Sequence, residues 1–90
     1  MAKSDLVKVV VNIFGDEYIV RGAEDPDYIE MLAAYVDRKM RSIQSKSPGL
    51  ADTKIAVLAA LNLADELSKL QEDYDQLVKT MEEVKGNRLL

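Results

Sequence analysis

"KIAVLAALNLADELSKL", residues 54–70, carries apolar side chains on nearly every side at its start and on one side only toward its end. We interpret it as part of a helix that begins near residues 52–53 and ends near Lys85, where Gly86-Asn87 can supply the positive φ of a helix terminus. A helix of this length measures roughly 50 Å. Because an all-round apolar segment is typical of a helix enclosed by protein, we expect its first part to pack on the rest of the molecule.

The second part of this helix carries a heptad repeat. Apolar residues recur at alternating spacings of three and four, with Ala60 at the first a position, and no second run of this kind occurs in the chain. The repeat forms an apolar row along the helix, which we call the seam. The seam predicts pairing with another copy or another protein, in preference to docking on the short N-terminal part of the same chain, the head. Ala64 and Val78 at e positions widen the stripe, which favours a homotetramer over a simple homodimer. The predicted oligomerisation residues are Leu63, Leu67, Leu70, Tyr74, Leu77, Met81 and Val84.

A β-hairpin is predicted upstream of the helices, over about residues 6–22. Residues 7–14 alternate with period two between apolar β-branched side chains and other residues, which is typical of a strand with one buried face. Gly15-Asp16 suits a two-residue turn of type II′, after which the chain can fold back as a second strand. The cross-strand pairs that this turn predicts are Ile13 with Tyr18 and Val11 with Val20.

A shorter helix is predicted over about residues 26–46. Asp25 can cap its free N–H groups and Pro26 supplies the φ of a first turn, while the sequence Ser47-Pro48-Gly49 ends it. Its apolar stripe consists of Ile29, Leu32, Val36, Met40 and Ile43.

These elements predict an α+β fold in two parts. A small head over residues 1–50 contains the hairpin and the shorter helix. The long C-terminal helix over residues 52–86 packs its first part on the head and forms an intermolecular coiled coil over about residues 63–85.

The composition disfavours several classes of function. The formal charge of −4 does not favour nucleic-acid binding, and no charge-free stretch is long enough to span a membrane. Cys and His are absent, which removes the usual nucleophiles, bases and zinc ligands, and the paired carboxylates fit solvated helix faces. We therefore expect no enzymatic activity, no cofactor and no metal. No signal peptide is recognised at the N-terminus, so we expect a cytoplasmic protein.

Basic residues cluster in the later part of the shorter helix. They complement the helix dipole, and Asp37 lies four residues before Arg41, as an ion pair within a helix requires. An exposed basic patch that meets an acidic partner is the second interpretation, and the two are compatible. The candidate partner-binding residues are Arg38, Lys39, Arg41 and Lys46.

Taken in order, several segments resemble the ZapA family of bacterial cell-division proteins. They are the alternating Val9, Val11 and Ile13, then Gly15, Tyr18 and Gly22, "YVDRKMRSI" at 35–43, Pro48, Leu50, Lys54 and "AVLAALNLADEL" at 56–67. The resemblance covers nearly the whole chain. It implies dimers and tetramers with heads at both ends that bind the tubulin-like GTPase FtsZ and cross-link its filaments at the division ring, without enzymatic activity. An adaptor whose coil pairs with a different protein is the alternative.

Overall fold

A computed structural model of the chain describes residues 6–88 as a β-hairpin followed by two helices, which confirms the predicted α+β class. Residues 1–5 of the predicted head lie outside the described residues. The four elements are β1 (Val7–Ile13), β2 (Asp16–Gly22), α1 (Pro26–Lys46) and α2 (Asp52–Arg88).

Contacts within the chain divide it into two units, Met1–Ala59 and Ala60–Leu90. The first unit holds the hairpin, α1 and the beginning of α2, and the second holds the rest of α2. The first unit has two small apolar clusters. One joins the inner face of the hairpin to α1, and the other joins α1 to the start of α2; they consist of Val9, Val11, Ile29 and Ala33, and of Met40, Ile55 and Ala59.

The hairpin turn lies one residue earlier than predicted. Phe14 and Gly15 form it, with φ of 54° and 87°, whereas the sequence predicted Gly15 and Asp16. Two successive positive φ angles are typical of a type I′ turn, whereas the predicted type II′ turn has a positive φ at its first position only. The side chain of Phe14 packs against the second apolar cluster, which offsets the strain of a non-glycine residue in this conformation.

The cross-strand register shifts with the turn. Ile13 pairs with Asp16 instead of Tyr18, and Val11 pairs with Tyr18 instead of Val20. The shift is two residues along β2, so every side chain stays on the face that the alternation predicted. Val9 and Val11 are accordingly buried against α1.

The start and end of α1 are where the sequence placed them. Asp25 caps the helix by accepting a hydrogen bond from the backbone N–H of Asp27 at 2.8 Å, and Pro26 is its first residue. The buried stripe differs by one position, because Ala33 is buried and Leu32 is exposed. The small Ala33 side chain lets α1 approach β1 closely, while Leu32 lies on a side of α1 that stays exposed among the described residues.

The first part of α2 is covered on one side only. Ile55 is fully buried, at 0 % exposure, and Ala59 is buried beside it. Within the residues that the structure describes, the hairpin and α1 cover one side of this segment, so full enclosure by protein stays a prediction. Its exposed apolar residues are Val57, Leu58 and Leu61.

The end of α2 also differs from the prediction. The helix continues through Gly86 to Arg88, and the φ angle of Gly86 is not positive. A glycine inside a helix costs about 1 kcal/mol relative to alanine, which weakens the last turn without ending it.

Candidate functional site

The predicted seam lies along one exposed face of α2 in the second unit. Leu67 and Leu70 are each 66 % exposed, and the exposure falls only to 53 % at Val84. Leu63, at the start of the seam, is half-buried. Burial of an apolar row of this kind stabilises an assembly by several kcal/mol, at about 25 cal/mol per Å² of apolar surface removed from water. The other exposed residues of the row are Tyr74, Leu77 and Met81.

A second exposed apolar surface lies in the first unit, along α1. Its residues follow one another at helical spacings of three, one and three, so they share one face, which we call the α1 stripe. Leu32 in this stripe also borders an apolar cavity of about 210 Å³ between the hairpin and α1. This surface was not predicted from the sequence, because the apolar stripe expected for α1 included Leu32 among the residues that face the core. The α1 stripe consists of Tyr28, Met31, Leu32 and Tyr35.

The predicted basic patch is only partly brought together. Arg38 and Lys39 lie over the ring of Tyr35, with 5.8 Å and 5.6 Å from cation to ring centre. A cation over an aromatic face is weakly attracted to it. Lys46 occupies the last turn of α1, where it complements the negative end of the helix dipole. Whether these residues bind a partner stays a prediction.

Arg41 is engaged with two groups of its own unit. Its Nε donates to Oδ2 of Asp37 at 2.9 Å, which confirms the ion pair expected from their spacing. Its guanidinium also lies 5.8 Å from the centre of the Phe14 ring. The helix-stabilising interpretation of the basic residues is thus realised for Arg41.

Asp37 makes a longer-range contact that the sequence did not predict. Its Oδ1 accepts a hydrogen bond from the backbone N–H of Phe14 at 2.7 Å. This bond, and next the bond from Arg41, hold the pKa of the Asp37 carboxyl below its ordinary value of 3.8, against a smaller opposing effect of burial. The motif "YVDRKMRSI" contained Asp37, but only the pairing with Arg41 was visible from spacing.

The remaining carboxylates lie on exposed faces. Asp65 pairs with Lys69 at 3.1 Å, and Asp75 accepts a hydrogen bond from Gln71 at 3.2 Å, both along α2. Among the described residues, no group of three or more acidic, histidine or cysteine side chains is placed to hold a metal ion. Within the same part of the chain, no buried side chain is polar or charged.

Over the residues that the structure describes, neither α1 nor α2 combines the length and the apolar character that crossing a bilayer requires.

Comparison with known proteins assigns the family. The family model described as "Cell division protein ZapA" matches residues 9–89. The protein of that name from Geobacillus sp. (strain WCH70) is 39% identical over 85 residues, which cover 94% of this chain and 98% of the relative.

Two solved structures share the fold. The "ZapA mutant dimer from Geobacillus stearothermophilus" is 40% identical, with a TM-score of 0.68 over 86% of this chain and 90% of that one. A protein described as an unknown conserved bacterial protein from Pseudomonas aeruginosa PAO1 is 30% identical, with a TM-score of 0.74 over 91% of each chain. With a family model that spans residues 9–89 and a relative aligned almost end to end, the chain belongs to the ZapA family of cell division proteins.

Proposed function

We propose that this chain binds FtsZ and cross-links or bundles its filaments at the division ring in the cytoplasm, as a structural protein without catalytic activity. Membership of the ZapA family supports the partner and the process. The observation that carries the cross-linking role is the exposed apolar seam of α2, because a cross-linker must join filament-binding heads to one another.

The proposed assembly is a homodimer in exchange with a homotetramer. Seam residues from Leu63 to Val84 form its coiled coil, and burial of this row is the driving force. The apolar e positions, Ala64 and Val78, support contacts with more than one neighbouring helix. A solved relative is described as a dimer, which agrees with self-association.

The exposed apolar residues of the first unit support a further contact between copies. The α1 stripe, together with the exposed Val57 and Leu58 at the start of α2, is too apolar to be typical of a surface that stays in water. Two heads that share these surfaces would form a unit able to persist without the distal coil.

Partner contact is proposed for the basic residues of α1, namely Arg38, Lys39, Arg41 and Lys46. Positive charge speeds the encounter with an acidic partner and raises its sensitivity to salt. Of the two arginines, Arg41 is bonded to Asp37, whereas the contact described above for Arg38 is the weaker one with the Tyr35 ring. We therefore assign Arg38 the larger share of this role.

Sedimentation of purified protein with FtsZ filaments, combined with light scattering of the free protein, tests partner and assembly together. We expect co-sedimentation, filament bundling, and a mass of two to four chains. A monomeric mass at tens of micromolar contradicts self-association and favours the adaptor that pairs with a different protein. Absence of co-sedimentation contradicts FtsZ binding.

A further inference from the structure

The hairpin leaves one edge of β1 unpaired within the described residues. In a hairpin with a two-residue turn, the residues that flank the turn exchange both backbone hydrogen bonds, and bonded pairs then alternate along the strands. Ile13 and Asp16 flank this turn, so the odd-numbered residues of β1 bond to β2. The backbone groups of the even-numbered residues point to the free edge; these residues are Lys8, Val10 and Asn12.

A groove runs beside this free edge. It has a volume of about 230 Å³, with Val10, Val11 and Asn12 on the strand side. The α1 side is formed by Glu30, Ala33 and Ala34, and α1 packs mainly against β1. Two alanines in succession leave room beside the strand for another backbone.

The next even-numbered residue, Phe14, lies in the turn beyond β1 and is already bonded within the chain. The outward N–H of Phe14 donates to the Asp37 carboxylate of α1 at 2.7 Å. No hydrogen bond from elsewhere in the described chain reaches the outward backbone groups of Val10 or Asn12. Val10 is also 54 % exposed, so the strand presents both free backbone groups and an apolar side chain.

The charges beside the groove differ at its two ends. Glu30, Ala34 and Arg38 follow one another at four-residue spacing on α1, so they lie on neighbouring positions of one helix face. Glu30 lines the groove, and Arg38 lies one helical turn beyond Ala34, with its guanidinium 5.8 Å from the centre of the Tyr35 ring. A segment with a basic residue at the first end and an acidic residue at the second is complementary to it.

We propose that an extended segment of FtsZ pairs with the free edge of β1 and adds a third strand to the hairpin. The inference rests on the proposed function, because it identifies how the filament protein is held. Strand addition uses main-chain hydrogen bonds for affinity and flanking side chains for specificity. Arg38 then contacts an acidic side chain of the same segment.

Val10→Pro tests the pairing with a matched control. Proline removes the outward N–H of Val10 but no bond of the hairpin, and proline is tolerated at such positions of edge strands. Ile19→Pro makes the same change at the cross-strand partner, whose outward N–H faces the other edge of the sheet. Ala34→Gln fills the groove from an exposed helix position without changing charge.

Co-sedimentation with FtsZ filaments is measured over a concentration series, with circular dichroism and light scattering to establish fold and mass. We expect Val10→Pro and Ala34→Gln to weaken binding about tenfold, and Ile19→Pro to change it less than about twofold. Equal binding by Val10→Pro and Ile19→Pro, with Ala34→Gln like the parent, overturns strand addition while FtsZ binding stands. A parent protein that does not co-sediment overturns both proposals.

Amide hydrogen exchange read by mass spectrometry gives a measurement independent of substitutions. The outward amides of β1 exchange fast in the free protein and should slow when filaments are added, whereas those of β2 should not. If Val10→Pro fails to fold, the Ala34→Gln variant and hydrogen exchange test strand addition in its place. Unchanged exchange in β1 on filaments that carry the protein contradicts the proposal.

Discussion

The Asp37 carboxylate in the middle of α1 accepts a hydrogen bond from the backbone N–H of Phe14 in the hairpin turn, at 2.7 Å. Phe14 has a left-handed φ of 54°, a conformation that disfavours non-glycine residues. The bond therefore links the strained turn directly to the helix, while the Phe14 ring packs against Met40, Ile55 and Ala59.

The first prediction concerns pH. The pKa of Asp37 is lowered in the folded protein from its ordinary value of 3.8. The ionised carboxylate therefore stabilises the fold fully when the pH is above 3.8, and this stabilisation is lost as the pH falls through the lowered pKa. Asp37→Asn should be less stable than the parent near neutral pH, and the difference should narrow below about pH 4. Urea unfolding followed by circular dichroism, at several pH values, measures the free energy of unfolding of the parent and of the variant. Glu24→Gln is the control, and a gap that stays constant down to acid pH contradicts the role assigned to Asp37.

The second prediction concerns the attachment of α2. Ile55→Ala removes the one described side chain that is both large and fully buried, and should lower the free energy of unfolding by about 3 kcal/mol. Lys54→Ala, at an exposed neighbouring position, should change it by less than about 0.5 kcal/mol. Denaturation at one fixed protein concentration makes the comparison valid, since association adds to stability. Equal stability of the two variants means that the second apolar cluster contributes little.

The third prediction concerns the seam. Leu70→Glu or Leu77→Glu should lower the mass in solution, because a charge in the seam is either buried without a partner or forces the helices apart. Gln76→Glu adds the same charge at an exposed position off the seam and should leave the mass unchanged. Light scattering at several concentrations reads the outcome. Parent-like masses for both leucine variants would show that the heptad repeat has been misinterpreted.

The fourth prediction concerns charge steering. Arg38→Glu should weaken co-sedimentation with FtsZ about fivefold at low salt and flatten its salt dependence. Lys54→Glu makes the same change of charge in the first turn of α2, at a residue outside the predicted basic patch, and should have little effect. Arg41 is kept in both proteins so that Asp37 retains its ion pair. Identical salt profiles for the two variants leave the basic residues with the helix-dipole role alone.

The fifth prediction separates binding from cross-linking. Leu70→Glu combined with Leu77→Glu should leave a dimer held by the first unit, which still contacts filaments but lacks the opposed pair of heads. Co-sedimentation should fall modestly and bundling much further, since bundling depends on avidity. Electron microscopy and light scattering follow bundling. A folded dimer that bundles filaments as well as the parent requires another purpose for the coil.

Local signals in the sequence were sufficient for both ends of α1 and for the start of α2, whereas Gly86 did not end α2 as predicted. Asp25-Pro26 fixed the start of α1 because capping depends on residues within one turn of the chain. The turn was misplaced because Phe14 is held by Asp37, 23 residues away, and by packing on α2, neither of which leaves a local pattern. A Gly-X pair was the stronger local signal, but non-local contacts decided the turn.

The exposed surfaces were harder to predict than the elements. Leu32 and Ala33 are both apolar, so periodicity alone could not tell which one faces the hairpin; close packing selected the smaller. The seam of α2 was visible because eight regularly spaced residues have no counterpart in the chain. The groove beside β1 was not visible from the sequence. It depends on the free edge of a two-stranded sheet and on the small side chains of Ala33 and Ala34.

The small core of the chain has a consequence for its turnover in the cell. Seven side chains are buried among the described residues, all of them apolar, while the seam and the α1 stripe stay in contact with water. A chain without partners therefore opens readily, and proteases degrade the opened state. Assembly would stabilise each copy, and the stabilisation would increase with the concentration of the protein. Copies made in excess of their partners would then be removed first, so that the half-life of the protein adjusts its abundance to the number of complete assemblies.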